Sequence, residues 1–147
     1  MSWDLYAQDF PDVATVVGIP DDFVPQPLGP REDVIARIKA AIPAADFSDP
    51  SWGVILEDDW SVEVNVGGDA ICDGFGLYVR GGGEEAMDCV ATILQATGTR
   101  GVDMQTGEFF ERGAASESFG VWQSYRDQVV AEVRKPKTGF FARLFAR

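Results

Sequence analysis

From residue 61 to 66 the chain reads S-V-E-V-N-V, which sets Val62, Val64 and Val66 on one side of an extended backbone and Ser61, Glu63 and Asn65 on the other. A repeat of two is the period of a β-strand. A strand that is apolar on one side only belongs to a sheet with one covered face and one polar face, the usual condition of antiparallel sheets. The rest of the chain must therefore supply further strands to pair with it and helices to cover its valines.

The strands are found nearby. Residues 52–57 and 61–66, split by Asp58-Asp59, predict a hairpin. Gly67-Gly68-Asp69 then turns the chain into a third strand over 71–80, where Ile71, Phe75, Leu77 and Val79 share a parity against Cys72, Gly74, Gly76, Tyr78 and Arg80. Asp73 is the exception on the apolar side. Residues 3–8 alternate Trp3, Leu5 and Ala7 with Asp4, Tyr6 and Gln8, and predict a first strand; a short one is expected at 102–104.

Helices have equally plain signals. Pro30 can open one, with Glu32 and Asp33 in its first turn where the helix dipole favours acids, with Val34, Ile35, Ile38 and Ile42 on one face and with Pro43 as its stop. A second, over 84–97, buries Met87, Val90, Ala91 and Leu94 and is capped by Gly98. A third, over 116–135, aligns Phe119, Trp122, Val129, Val130 and Val133 and ends at Pro136. Four prolines and a glycine between Pro20 and Pro30 leave that stretch an extended loop. The order β-α-β-β-β-α-β-α predicts an α+β fold, a mainly antiparallel sheet of about five strands with helices on one face. Its 147 residues fit a single domain over 1–136, followed by a basic amphipathic tail over 137–147.

Charge separates body from tail. Residues 134–147 carry five basic side chains and no acid, which leaves seven basic against 24 acidic groups in the remainder, a formal charge of −17. Such a body repels nucleic-acid phosphates and anionic lipid and attracts a basic protein partner. In the tail Phe140, Phe141, Leu144 and Phe145 form an apolar helical face opposite Arg143 and Arg147, a surface for docking on the body, on a partner or on a second copy in a homo-oligomer. The opening residues carry acids where a signal peptide needs positive charge, and no apolar run approaches the ~20 residues of a membrane span, so a cytoplasmic protein without stable membrane insertion is expected.

The catalytic inventory is thin. The chain has no histidine, and with it lacks the commonest general base and the common zinc sites. Its two cysteines, Cys72 and Cys89, have no metal spacing and read as reduced and buried; no cofactor is implied. Asp46-Phe-Ser-Asp49-Pro-Ser-Trp52-Gly reads as turn chemistry aiming a strand, since Asp and Ser bond nearby backbone and Pro fixes φ. A calcium loop begun at Asp46 would place Pro50 and Ser51 where a ligand and a glycine are needed. Arg80-Gly81-Gly82-Gly83 reads as a strand-to-helix connector, because Glu84 and Glu85 already occupy the helix end that a phosphate would seek. The polar face of the middle strands gathers Glu63, Asn65, Tyr78 and Arg80, with Glu63 and Arg80 as cross-strand partners, and is the candidate binding surface.

With its M-S-W-D-L start, its V-R-G-G strand end at 79–82 and its D-M-Q-T-G-E segment at 103–108, the chain resembles a family of small uncharacterised bacterial proteins over residues 1–110. Through them it is similar to immunity-type proteins of bacterial toxin systems. That resemblance implies a protein-binding role and transfers no catalytic residue. Composition and resemblance together favour a non-enzymatic binding protein whose acidic surface meets a basic partner. The alternative is a carboxylate-based hydrolase or a divalent-cation or small-ligand binder using Asp46, Asp49 and the Glu63 and Arg80 face.

Overall fold

A computed structural model describes residues 2–112. Their elements run β1 (Trp3–Gln8), a 3₁₀ turn (Val16–Gly18), β2 (Gly29–Pro30), α1 (Arg31–Ala41), β3 (Asp46–Asp49), β4 (Trp52–Leu56), β5 (Trp60–Asn65), β6 (Ile71–Cys72), β7 (Gly74–Gly81), α2 (Glu84–Thr97) and β8 (Arg100–Asp103). The fold is α+β. Six strands form one antiparallel sheet in the order β3-β4-β5-β7-β1-β8, and β2 pairs with β6 in a separate two-stranded ribbon.

The valines of β5 behave as their alternation requires. Val62 lies opposite Val79 and Val64 opposite Leu77, and β1 continues the row with Trp3 opposite Val79 and Leu5 opposite Leu77. All six are buried, and with Val34 and Ile38 of α1 and Met87, Val90 and Ile93 of α2 they make the main core. Each such side chain taken out of water contributes about 1.5–3 kcal/mol. Both helices therefore cover one face. Gly98, at φ 66° and ψ 30°, closes α2 in the left-handed conformation that glycine adopts without a steric cost. A smaller apolar cluster of Phe10, Val16, Ile19, Val102 and Phe109 covers part of the other face at the β1–β8 end.

Three expectations need correction. The sheet has six strands and not about five, because residues 46–49 form an edge strand and not only a turn. The strand expected over 71–80 is two strands: the chain breaks at Asp73, Cys72 turns inward to 2% exposure and Ile71 outward to 49%. An acid on the apolar parity cannot enter the core unpaired, so the backbone changes face there instead. The loop after Pro20 ends in β2, whose Gly29 and Pro30 pair with Cys72 and Ile71. The expected helix over 116–135 and the tail residues Phe140, Phe141, Leu144 and Phe145 lie outside the described residues.

Candidate functional site

The face of the sheet opposite the helices is built from two cross-strand rows. One runs Val54–Glu63–Tyr78–Asp4 from β4 to β1, and the next runs Trp52–Asn65–Gly76–Tyr6. Antiparallel register brings all four candidate residues, Glu63, Asn65, Tyr78 and Arg80, onto this face. Arg80 is opposite Ser61, and its guanidinium reaches diagonally to ion-pair with Glu63. The pair is partly solvated, with Arg80 55% and Glu63 20% exposed, so its net contribution is about 0–1 kcal/mol. Its main effect is to hold the Glu63 carboxylate in place.

That carboxylate also accepts the Trp52 indole N–H at 3.1 Å. Thus fixed, the Trp52 ring stacks on Tyr78 with centroids 5.5 Å apart and planes 7° from parallel. Such stacked pairs contribute about 0.5–1.5 kcal/mol beyond their area burial. Both rings remain half-exposed. Tyr78 leans along its strand over Gly76: a Cβ at that glycine would lie 2.8 Å from the tyrosine hydroxyl oxygen. Tyr6 lies over Gly74 in the same way, where a Cβ would meet its hydroxyl oxygen at 2.6 Å and the Ala7 carbonyl oxygen at 2.7 Å. The two glycines leave room for the hydroxyl ends of both tyrosines.

Beside the rings a cleft of about 380 Å³ opens where β7 departs from β6, lined by Tyr6, Asn65, Asp69, Asp73 and Tyr78 over the Gly74–Gly76 backbone. Asn65 is oriented by the Gly67 N–H, which donates to its side-chain oxygen at 3.1 Å. Asp69 and Asp73 are exposed at the rim. Asp4, in the neighbouring row, has its carboxyl pushed up by burial, an effect opposed by a hydrogen bond from the Ser2 hydroxyl and by the Arg80 charge.

Asp46 and Asp49 extend the two rows at the sheet edge, opposite Val54 and Trp52, but their carboxylates are each engaged locally. Asp46 accepts the Ser48 N–H at 2.8 Å and the Ser48 hydroxyl, and Asp49 accepts the Ser51 N–H at 2.9 Å and the Ser51 hydroxyl. These bonds hold each carboxyl below its ordinary range. Among the described residues no group of three His, Cys, Asp or Glu side chains converges to hold a metal ion. The connector after β7 carries Gly83 at the start of α2, whose first-turn acids are engaged: Glu84 with Arg112, and Glu85 with the Trp60 indole at 3.3 Å. Both cysteines are free and buried, and burial pushes the Cys89 thiol up to about 12.

Four of the six basic side chains of the described residues are engaged by the fold, and Arg37 and Lys39 of α1 are exposed. Residues 2–112 contain 21 acidic and six basic side chains. Arg31 donates to the Gly67 carbonyl at 3.3 Å, Arg80 pairs with Glu63, and Arg112 with Glu84 and Asp88. Arg100 donates to the Pro11 and Val13 carbonyls at 2.7 and 2.9 Å while lying over the Phe109 ring. The sequence pattern exposed the polar parity of the face but not Trp52 and Tyr6, which join it through register. Compared with known proteins, the chain matches no family model, no curated protein and no solved structure.

Proposed function

We propose that the chain is a non-enzymatic binding protein that engages a basic protein partner through the Trp52–Tyr78 face of its sheet. The observation that carries this reading is the stacked, half-exposed aromatic pair, held by the Glu63–Arg80 ion pair within a body whose acids outnumber its bases 21 to six. Large, rigid aromatic surface beside a fixed charge is the composition of an interface anchor. The uncompensated negative field supplies steering and selects for a cationic partner. An immunity-type role, in which the partner is a toxin with a basic surface, is the setting suggested by the sequence resemblance. A location in the cytoplasm belongs to the same proposal. The carboxylate-enzyme reading gains no support from Asp46 and Asp49, each of which serves its own turn.

The test is affinity capture from an extract of the source organism, identification of the captured protein, and calorimetry with that protein purified. The expected affinity falls at least ~10-fold between about 50 and about 500 mM salt. Trp52→Ala, verified as folded by circular dichroism, should weaken binding by ~10-fold or more. An affinity indifferent to both changes would end the proposal.

A further inference from the structure

We propose that the cleft beside Tyr78 is a guanidinium subsite, filled by an arginine side chain of the basic partner. The inference deepens the proposed function and rests on it only for the source of the arginine; the chemistry of the subsite is read from the cleft itself.

The cleft exists because the strand is interrupted. At Asp73 the backbone changes face, β6 leaves to pair with β2, and β7 begins at Gly74 without a side chain to fill the gap. The result is a space of about 380 Å³ whose lining, among the described residues, includes no lysine or arginine. Its walls are two tyrosines whose hydroxyl ends sit over Gly74 and Gly76, where a Cβ would meet them. One side of the Tyr78 ring is taken by Trp52. Acceptors surround the space: the Tyr78 hydroxyl oxygen, the Asn65 side-chain oxygen already aligned by Gly67, and the carboxylates of Asp69 and Asp73. Among the described residues neither of those carboxylates is ion-paired, and every arginine from β7 onward is held by acids, carbonyls or a ring elsewhere.

A planar cation with several N–H donors satisfies all of these features together. It lies against a tyrosine ring through cation–π attraction and forks its donors onto a carboxylate. Lysine offers a point charge that does neither as well. A neutral sugar could stack and accept the same geometry, but it leaves the two unpaired carboxylates without a counter-charge. A metal ion is the poorer fit, since among the described residues no three His, Cys, Asp or Glu side chains converge.

The experiment uses the full chain, ¹⁵N-labelled, titrated with N-acetyl-arginine methylamide and in parallel with the matching lysine and citrulline amides and with glucose. The arginine probe should give saturable shifts of the Gly74, Gly76 and Tyr78 amides in the millimolar range expected of so small a ligand. The lysine probe should bind at least about threefold more weakly, and isosteric, uncharged citrulline and glucose should not saturate. Asp69→Asn and Asp73→Asn, both exposed and therefore compatible with folding, should each weaken the arginine probe by ~3–10-fold. Binding of citrulline or glucose as tight as that of arginine overturns the inference, as does arginine binding untouched by both substitutions. Partner affinity reduced by Trp52→Ala but unchanged in both aspartate variants keeps the proposed function and refutes the subsite. Arginine binding at the cleft without any salt-sensitive protein partner keeps the subsite and refutes the proposed function.

Discussion

The two glycines under the tyrosines give a quantitative test of how the exposed face is made. At Gly76 an added Cβ meets only the far end of the Tyr78 side chain, at 2.8 Å, whereas at Gly74 it meets the Tyr6 hydroxyl and also the Ala7 backbone carbonyl, at 2.7 Å. A side-chain end can swing away; a carbonyl locked in the β1–β7 ladder cannot. Gly76→Ala should therefore gain about 0.5–1 kcal/mol from the stiffer unfolded chain and lose about 0.5–1.5 kcal/mol as Tyr78 leaves Trp52. The two nearly cancel, for a net change within about 1 kcal/mol. Gly74→Ala has the same entropic gain but must spread two central strands, at about 1–3 kcal/mol. Its melting temperature should fall by several degrees, as about 1 kcal/mol moves a domain of this size by ~4–8 °C. Urea unfolding followed by far-UV circular dichroism gives the stabilities, and near-UV circular dichroism reports the Trp52–Tyr78 stack. The outcome expected is Gly76→Ala stable with its aromatic signal lost, and Gly74→Ala destabilised. Equal stabilities with an unchanged near-UV spectrum in both variants would refute the argument that the glycines make room for the tyrosine ends.

Other perturbations separate core from surface. Ile38→Ala, at a fully buried position between α1 and the sheet, should cost about 2–5 kcal/mol in urea unfolding. Gln8, fully buried with neither polar side-chain atom hydrogen-bonded among the described residues, should tolerate Met with a gain of about 1–3 kcal/mol; a loss would mean that the amide has a partner. Trp3→Phe removes the indole N–H that donates to the buried Asp103 carboxylate at 3.0 Å and should cost about 1.5–3 kcal/mol. Burial raises the Asp4 carboxyl above its ordinary 3.8, so the folded chain binds its proton more tightly than the unfolded one. The resulting destabilisation sets in as pH rises through 3.8 toward the raised value and persists above it, and Asp4→Asn should gain on the parent chain between about pH 3 and about pH 7 in parallel urea melts.

Local periodicity and punctuation made much of the fold legible. The valines of β5, the stretch from Glu84 to Gly98 and the Asp58-Asp59 hairpin are specified by neighbours within a few residues, and all lie where the sequence predicts them. Asp73 was visible as a misfit in parity, but whether a strand tolerates, bulges at or breaks on such a residue depends on what pairs beside it. Here the ribbon with Gly29 and Pro30 receives the detached end. Residues 46–49 gave only turn signals, because an edge strand whose one apolar residue, the half-buried Phe47, stands among three short polar side chains has no alternation to announce it. Register is the least local property of all. The insertion of β1 between β7 and β8 is what brings Tyr6 beside Tyr78, and the pairing of Trp52 with Asn65 is what sets an indole over the phenol. The four polar residues of the face could be named from parity alone; the aromatic pair that turns them into a site could not.

The claim that a defined face, and not diffuse negative charge, receives a basic partner is tested most directly by mapping amide and indole shifts while a hexa-arginine peptide is titrated into the full chain. Saturable shifts of the Trp52 indole N–H together with Gly74, Gly76 and Tyr78, weakening between about 50 and about 500 mM salt, are the predicted result. Shifts centred on Asp58-Asp59 and on Glu84-Glu85, with the Trp52 indole unmoved, would contradict it.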